Sequence, residues 1–278
     1  MDIRQILHRL NLSRRYAIAT FKSLTDNSAF ENLETFCLFV GNPRSGHTLV
    51  GSLIDAHPAA LIADEMDVLK YLAITPGREL LFWMIQQNAA EAAQAGRERA
   101  GYYYKVPNQW QGKFQTLRVI GDKKGGRIAW IFAAQPEQYE RLKKFVRLPI
   151  KFIHVIRNPY DNITTMARRR ELSDLAPMIK GYFQNCDGVL AVKQLAGEAA
   201  VLDIRQETLI REPDETIRTM CRFLDLEPEE SYVRDCASIL FQTPKHTRAN
   251  AQWSPQAIED VARHIEQFPF LHGYNFES

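Results

Sequence analysis

Apolar residues along this chain fall into two rhythms. Short, mainly apolar runs occupy residues 36–40 (Phe-Cys-Leu-Phe-Val), 59–63, 117–120, 151–156 and 199–204. Runs of this length without regular polar alternation predict strands covered on both faces. Between them, apolar positions return every three or four residues. That spacing predicts helices over residues 2–22, 48–56, 78–96, from about 127, and over 136–146, 160–170, 174–197, 214–224, 229–240 and 255–267. Strands alternating with helices predict an α/β fold, with a P-loop-like parallel sheet of about 4–5 strands flanked by helices on both faces. A single domain is expected over residues 1–278. Residues 1–30 form a helical extension, and the polar, basic stretch 242–255 reads as a lid.

Composition narrows the function classes. A formal net charge of +2 over 278 residues gives no generally basic surface, so nucleic acid is not an expected partner. Local clusters (Lys123-Lys124, Lys143-Lys144, Arg168-Arg169-Arg170) fit a small polyanion or an acidic substrate instead. The four cysteines, Cys37, Cys186, Cys221 and Cys236, show no C-x-x-C spacing and are expected as reduced core thiols. No apolar run approaches the roughly 18 residues of a membrane span, and no signal-peptide core is visible near the N-terminus. A cytoplasmic protein is the expectation. The first helix carries Arg4, Arg9, Arg14 and Arg15 around Ile3, Ile6, Leu7 and Leu10, and either docks on the domain or meets a membrane or partner.

The chemistry concentrates at the ends of the runs. Gly41-Asn-Pro-Arg-Ser-Gly46 joins the first strand to a helix, the local plan of an anion cradle. It fits the G-x-x-x-x-G-K-[ST] spacing except that His47 replaces the lysine, while Arg44 lies inside the loop. Asp64-Glu65-Met66-Asp67 follows the second strand, where α/β proteins bind ligands, although such acids also suit a helix start. Gly121-Asp-Lys-Lys-Gly-Gly126 presents two lysines on a turn. Arg157-Asn-Pro159 ends a further strand, with Asn158 suited to cap the next helix and Pro159 to its first turn. Thr164, Thr165 and the arginine run follow. Tyr102 to Tyr104, Trp110 and Trp83 suit either a substrate wall or ordinary packing. Asp122, the nearest candidate for a magnesium-binding aspartate of an NTPase, is followed at once by two lysines, a poor setting for a cation.

Two of these motifs resemble the sulfotransferases that use 3′-phosphoadenosine 5′-phosphosulfate (PAPS). Pro43-Arg-Ser-Gly-His-Thr48 is similar to the family's 5′-phosphosulfate loop. Arg157-Asn-Pro-Tyr-Asp-Asn-Ile-Thr-Thr165 is similar to its 3′-phosphate motif, R-[ND]-P-x-D with a hydroxyl residue eight positions after the arginine. Gln206-Glu207-Thr208-Leu209 is similar to the later Y-E-D-L. Residues 44–58 most resemble tyrosylprotein sulfotransferases and their bacterial relatives. The resemblance implies PAPS as cofactor, bound by Arg44, Ser45, Gly46, His47, Thr48, Arg157, Thr165 and Arg169. It also implies Glu65, 21 residues after Arg44, as catalytic base, with Arg44 and Lys123 as catalytic cations; counting alone leaves Lys124 open. No metal is implied. The expected reaction is sulfuryl transfer to a hydroxyl or phenol, with a small-molecule or glycan acceptor. A P-loop kinase-like phosphotransferase and a non-catalytic nucleotide-binding module are the alternatives. His47 stands where the family has threonine or serine, and its imidazole either fills that place or adds pH-dependent charge near the sulfonate.

Overall fold

The computed structural model describes residues 3–99 and 101–278; for 3–13 and 98–99 only the backbone is described. Along the chain run α1 (Ile3–Thr25), β1 (Thr35–Val40), α2 (His47–Asp55), β2 (Ala60–Asp64), α3 (Arg78–Gln94), β3 (Glu98–Arg99) and β4 (Tyr102–Tyr103). Then come β5 (Val119–Lys123), α4 (Gly125–Ala134), α5 (Glu137–Val146), β6 (Ile150–Ile156), α6 (Pro159–Arg169) and α7 (Ala176–Ala196). The last elements are β7 (Val201–Arg205), α8 (Gln206–Arg211), α9 (Pro213–Phe223), α10 (Glu230–Ala237) and α11 (Pro255–Ile265).

Five parallel strands form one sheet in the order β2-β5-β1-β6-β7. Side chains alternate across it, and both faces are covered. Phe36, Leu38 and Val40 of β1 enter one core with residues of α3, α4 and α7. Cys37 and Phe39 enter a second core with residues of α2 and α9. That double cover explains why the strand runs carry no polar alternation. All four cysteines are buried free thiols.

β1 is central, and the chain runs from it first towards β2 and later, through β6, towards β7. The direction of winding reverses between β1 and β6, and a crevice outside the carboxyl ends of strands forms where that happens. The loops after β1, β2, β5 and β6 all open at this end of the sheet.

Several boundaries differ from expectation. β5 begins at Val119 and runs on through Lys123, so Asp122 and Lys123 belong to a strand end and not to a solvated turn. The aromatic stretch contributes only a two-residue strand, paired antiparallel with β3 outside the main sheet. Trp83 is core, packed edge-on against Phe30 at 4.9 Å. The short α8 had no helical signal of its own. α1 lies along α3, tied to it by an Arg15–Glu91 ion pair, and the Tyr16 hydroxyl donates to the Ile74 carbonyl ahead of α3 at 3.1 Å. The expected side-chain pattern over residues 3–10 lies outside the described residues. Among the described residues no helix is long and apolar enough to cross a membrane.

Candidate active site

The loop after β1 is held by short polar groups of its own and of α6. The Ser45 hydroxyl donates to the Asn42 carbonyl at 2.9 Å, and the Asn162 amide donates to the Pro43 carbonyl at 2.7 Å. Arg44 takes a left-handed φ of 71° and its side chain is exposed. Gly46 caps α2 at φ 114°, and a Cβ there would lie 3.1 Å from the Gln206 amide nitrogen. No side chain caps this helix start. Its first N–H groups therefore have no helical acceptor, and the helix dipole adds positive potential.

His47 turns back beneath the loop. Its Nε2 lies 2.9 Å from the Val40 carbonyl, an acceptor, so this nitrogen carries the proton and donates. The ring stands edge-on to Phe39 at 6.0 Å, and a Cβ on Gly125 would fall 2.5 Å from it. Burial pushes the imidazole down to about 3, so it is neutral at ordinary pH. Of the two readings left open for this position, a neutral ring that fills the threonine's place agrees better with this geometry than one that adds pH-dependent charge. The backbone N–H of His47 lies in the first turn of α2.

The ends of β2 and β5 bring the acidic cluster and the lysines together. Asp64 pairs in register with Lys123. Lys123 Nζ lies 2.6 Å from Asp64 Oδ1 and 3.1 Å from Glu65 Oε1, and donates to Thr48 Oγ1 at 3.3 Å. Its side chain is only 3% exposed, against 32% for Lys124, whose Nζ stays 3.8 Å from Glu65. Of the two lysines, Lys123 is the more buried and bridges the first turn of α2 to Glu65.

Asp122 is fully buried, and its carboxylate accepts from the backbone N–H groups of Met66 (3.0 Å), Asp67 (2.7 Å) and Val68 (3.1 Å). Burial raises its carboxyl to about 6, against the three donors that favour the charged form. The nearest stand-in for a magnesium-binding aspartate is thus committed to the backbone.

The second anion-type turn follows β6. Asn158 caps α6 by accepting from the Tyr160 N–H at 3.1 Å, with Pro159 at the first helical position. Arg157 Nη1 donates to Thr165 Oγ1 at 3.1 Å. Its Nη2 donates to the Lys245 carbonyl at 2.6 Å and to Thr247 Oγ1 at 3.1 Å. Burial lowers the Arg157 pKa, opposed by Asp161 and Glu207. Arg169 is exposed at the end of α6. Its neighbour Arg168 is the one whose charge reaches Tyr102: the Tyr102 phenol is lowered first by a hydrogen bond from Lys245 and then, among nearby charges, by Lys245, Arg168 and Arg157.

The stretch read as a lid lies on α6. Thr247–Asn250 forms one 3-10 turn, and Arg248 pairs with Asp161 at 2.6 Å while its backbone N–H donates to the same carboxylate at 2.8 Å. Lys245 Nζ donates to the Tyr102 hydroxyl at 2.7 Å and sits 5.0 Å from the Phe241 ring centroid. Asp122 was singled out only as a poor magnesium ligand, and Lys245, Thr247 and Arg248 only as part of the stretch read as a lid. Asp161 had a signal as the aspartate of the Arg157 motif; the contacts the others make are tertiary and no local pattern carries them.

The sequence profile described as the sulfotransferase family matches residues 38–230, which span the loop after β1, Glu65, Lys123 and the Arg157 turn. The sulfotransferase domain of the Synechococcus PCC 7002 olefin synthase is 15% identical and covers 85% of this chain and 94% of its own, with a TM-score of 0.53. A sulfotransferase domain from the curacin biosynthetic pathway is 16% identical, covers 85% and 98%, and has a TM-score of 0.55. Sulfotransferase STF9 from Mycobacterium avium is 13% identical, covers 92% and 81%, and has a TM-score of 0.52. A search of curated proteins returns no match. At these identities the structures share the fold, and the profile carries the assignment: this chain belongs to the sulfotransferase family.

Proposed function

We propose that this protein transfers the sulfuryl group of PAPS to a hydroxyl or phenol oxygen of a small-molecule or glycan acceptor, without a metal. The observation that carries this reading is the pair of anion-type turns on the adjacent strands β1 and β6, with the Glu65–Lys123 contact beside the first. PAPS supplies an activated sulfuryl group and leaves as 3′,5′-ADP. Two separated cradles suit a molecule with anionic groups at both its 5′ and 3′ positions. The start of α2, with the N–H groups of Ser45 to Thr48 and the Arg44 side chain, would hold the phosphosulfate end. Arg157 and Thr165 would hold the 3′-phosphate, their donors released from the 245–247 stretch or shared with it. Arg169 would add charge at the rim, a place Arg168 fills as well.

In the transfer, the acceptor oxygen forms a bond to sulfur as the bond from sulfur to the phosphate oxygen breaks. The electron pair moves onto that phosphate oxygen. Glu65 takes the acceptor's proton, a role worth about 10²–10⁴-fold in rate. Lys123, bridging Glu65 to Thr48, stabilises the charge growing on the leaving oxygen together with Arg44.

Replacing Glu65 separates binding from chemistry. Glu65→Ala should lower release of 3′,5′-ADP from PAPS by about 100-fold or more over a panel of phenols, sugars and alcohols. It should leave 3′,5′-ADP affinity unchanged by calorimetry. Full turnover in the variant would remove Glu65 from the role of base.

A further inference from the structure

Asp122 and Lys123 are consecutive at the end of β5, so their side chains leave opposite faces of the sheet. Both grip the same short segment. Lys123 turns to the α2 face, where it meets Thr48, Asp64 and Glu65. Asp122 turns to the other face, beneath the crossing of residues 66–68, and accepts all three of their backbone N–H groups. The segment needs such a hold. Glu65 and Asp67 both adopt left-handed backbone, at φ 56° and 66°, which non-glycine residues keep only where surrounding contacts impose it. The flanks are tied as well: the Asp64 N–H donates to Asn88 Oδ1 at 2.7 Å, and the Asp67 carboxylate meets Arg127 at 3.1 Å and Lys70 at 2.8 Å.

We infer that Asp122 is a positioning residue for the transfer: by fixing the backbone of residues 66–68 it sets the left-handed turn that presents the Glu65 carboxylate to Lys123 and to the acceptor. It touches neither PAPS nor acceptor. The role rests on Glu65 acting as the base. One strand end thereby sets the lysine and, through the turn, the carboxylate, and their spacing is fixed by the β2–β5 register.

The test compares Asp122→Asn, Glu65→Gln and the double variant, using whichever acceptor of the phenol, sugar and alcohol panel the wild type turns over fastest. Asp122→Asn should lower kcat by about 10-fold or more and leave the 3′,5′-ADP Kd within about twofold. In the Glu65→Gln background it should cost nothing further, because its effect passes through Glu65. An unchanged kcat, or an equal loss in both backgrounds, would overturn the inference. A second measurement needs no variant. In the wild type the amides of Met66, Asp67 and Val68 should exchange slowly although they lie outside the sheet, and fast exchange would equally overturn it. Should Glu65→Gln itself retain full activity, the base assignment falls, while slow exchange at residues 66–68 still reports the hold.

Discussion

A histidine at the first position of α2 alters what the loop after β1 can do with protons. Its imidazole is neutral and spends its one N–H on the Val40 carbonyl, so it braces the loop against the end of β1. The consequence is a stability that depends on pH. An unfolded histidine titrates near 6.5, whereas here burial holds the ring down to about 3. Between those values the unfolded chain binds more protons, so stability falls as pH drops below 6.5, by at most about 1.4 kcal/mol per pH unit. Urea titrations of the wild type and of His47→Thr should show the wild type losing about 2 kcal/mol relative to the variant between pH 7.5 and pH 5. A difference that does not change with pH would mean that the ring titrates freely in the folded state. Position 47 was recognisable as a departure from the usual loop. Which carbonyl the ring would meet was not, because that depends on where β1 ends beneath it.

At the scale of elements, the basic stretch 242–255 was legible as a polar, charged lid but not in its contacts. Its anchoring depends on partners far off in sequence, above all the Asp161–Arg248 pair, whose side chains are 3% and 7% exposed. Breaking a buried pair from one side leaves a carboxylate without its counter-charge, which costs about 3–5 kcal/mol. Arg248→Ala should therefore lower stability by roughly that amount in denaturant titration and speed amide exchange over residues 245–250. No loss would mean that the stretch does not depend on Asp161 for its place. The end of β5 was misjudged for a related reason. Gly-Asp-Lys-Lys-Gly-Gly reads as a turn, yet the ladder with β2 continues to Lys123, and Asp64 and Glu65 meet the charge of that lysine. Gly121 lies inside this strand because a Cβ would fall 1.9 Å from the Cys37 carbonyl oxygen of β1.

For the whole molecule, the sequence pattern went furthest. Five mainly apolar runs between amphipathic helices correspond to five parallel strands covered on both faces, since a strand buried on two sides has no polar face to display. The strand order was not readable, because it depends on which edges pair and not on local periodicity. That order places the loops after β1 and β6 side by side, although Arg44 and Arg157 are far apart in the chain. On the proposed function these two turns hold the 5′ and 3′ ends of one nucleotide. Calorimetry with 3′,5′-ADP and with 5′-AMP, which lacks the 3′-phosphate, separates the two contributions. 3′,5′-ADP should bind at least about 10-fold more tightly, one charge-assisted contact being worth about 1.5 kcal/mol or more, and Arg157→Ala should abolish the difference. No binding of 3′,5′-ADP at millimolar concentration, or equal affinity for the two nucleotides, would contradict the proposed function.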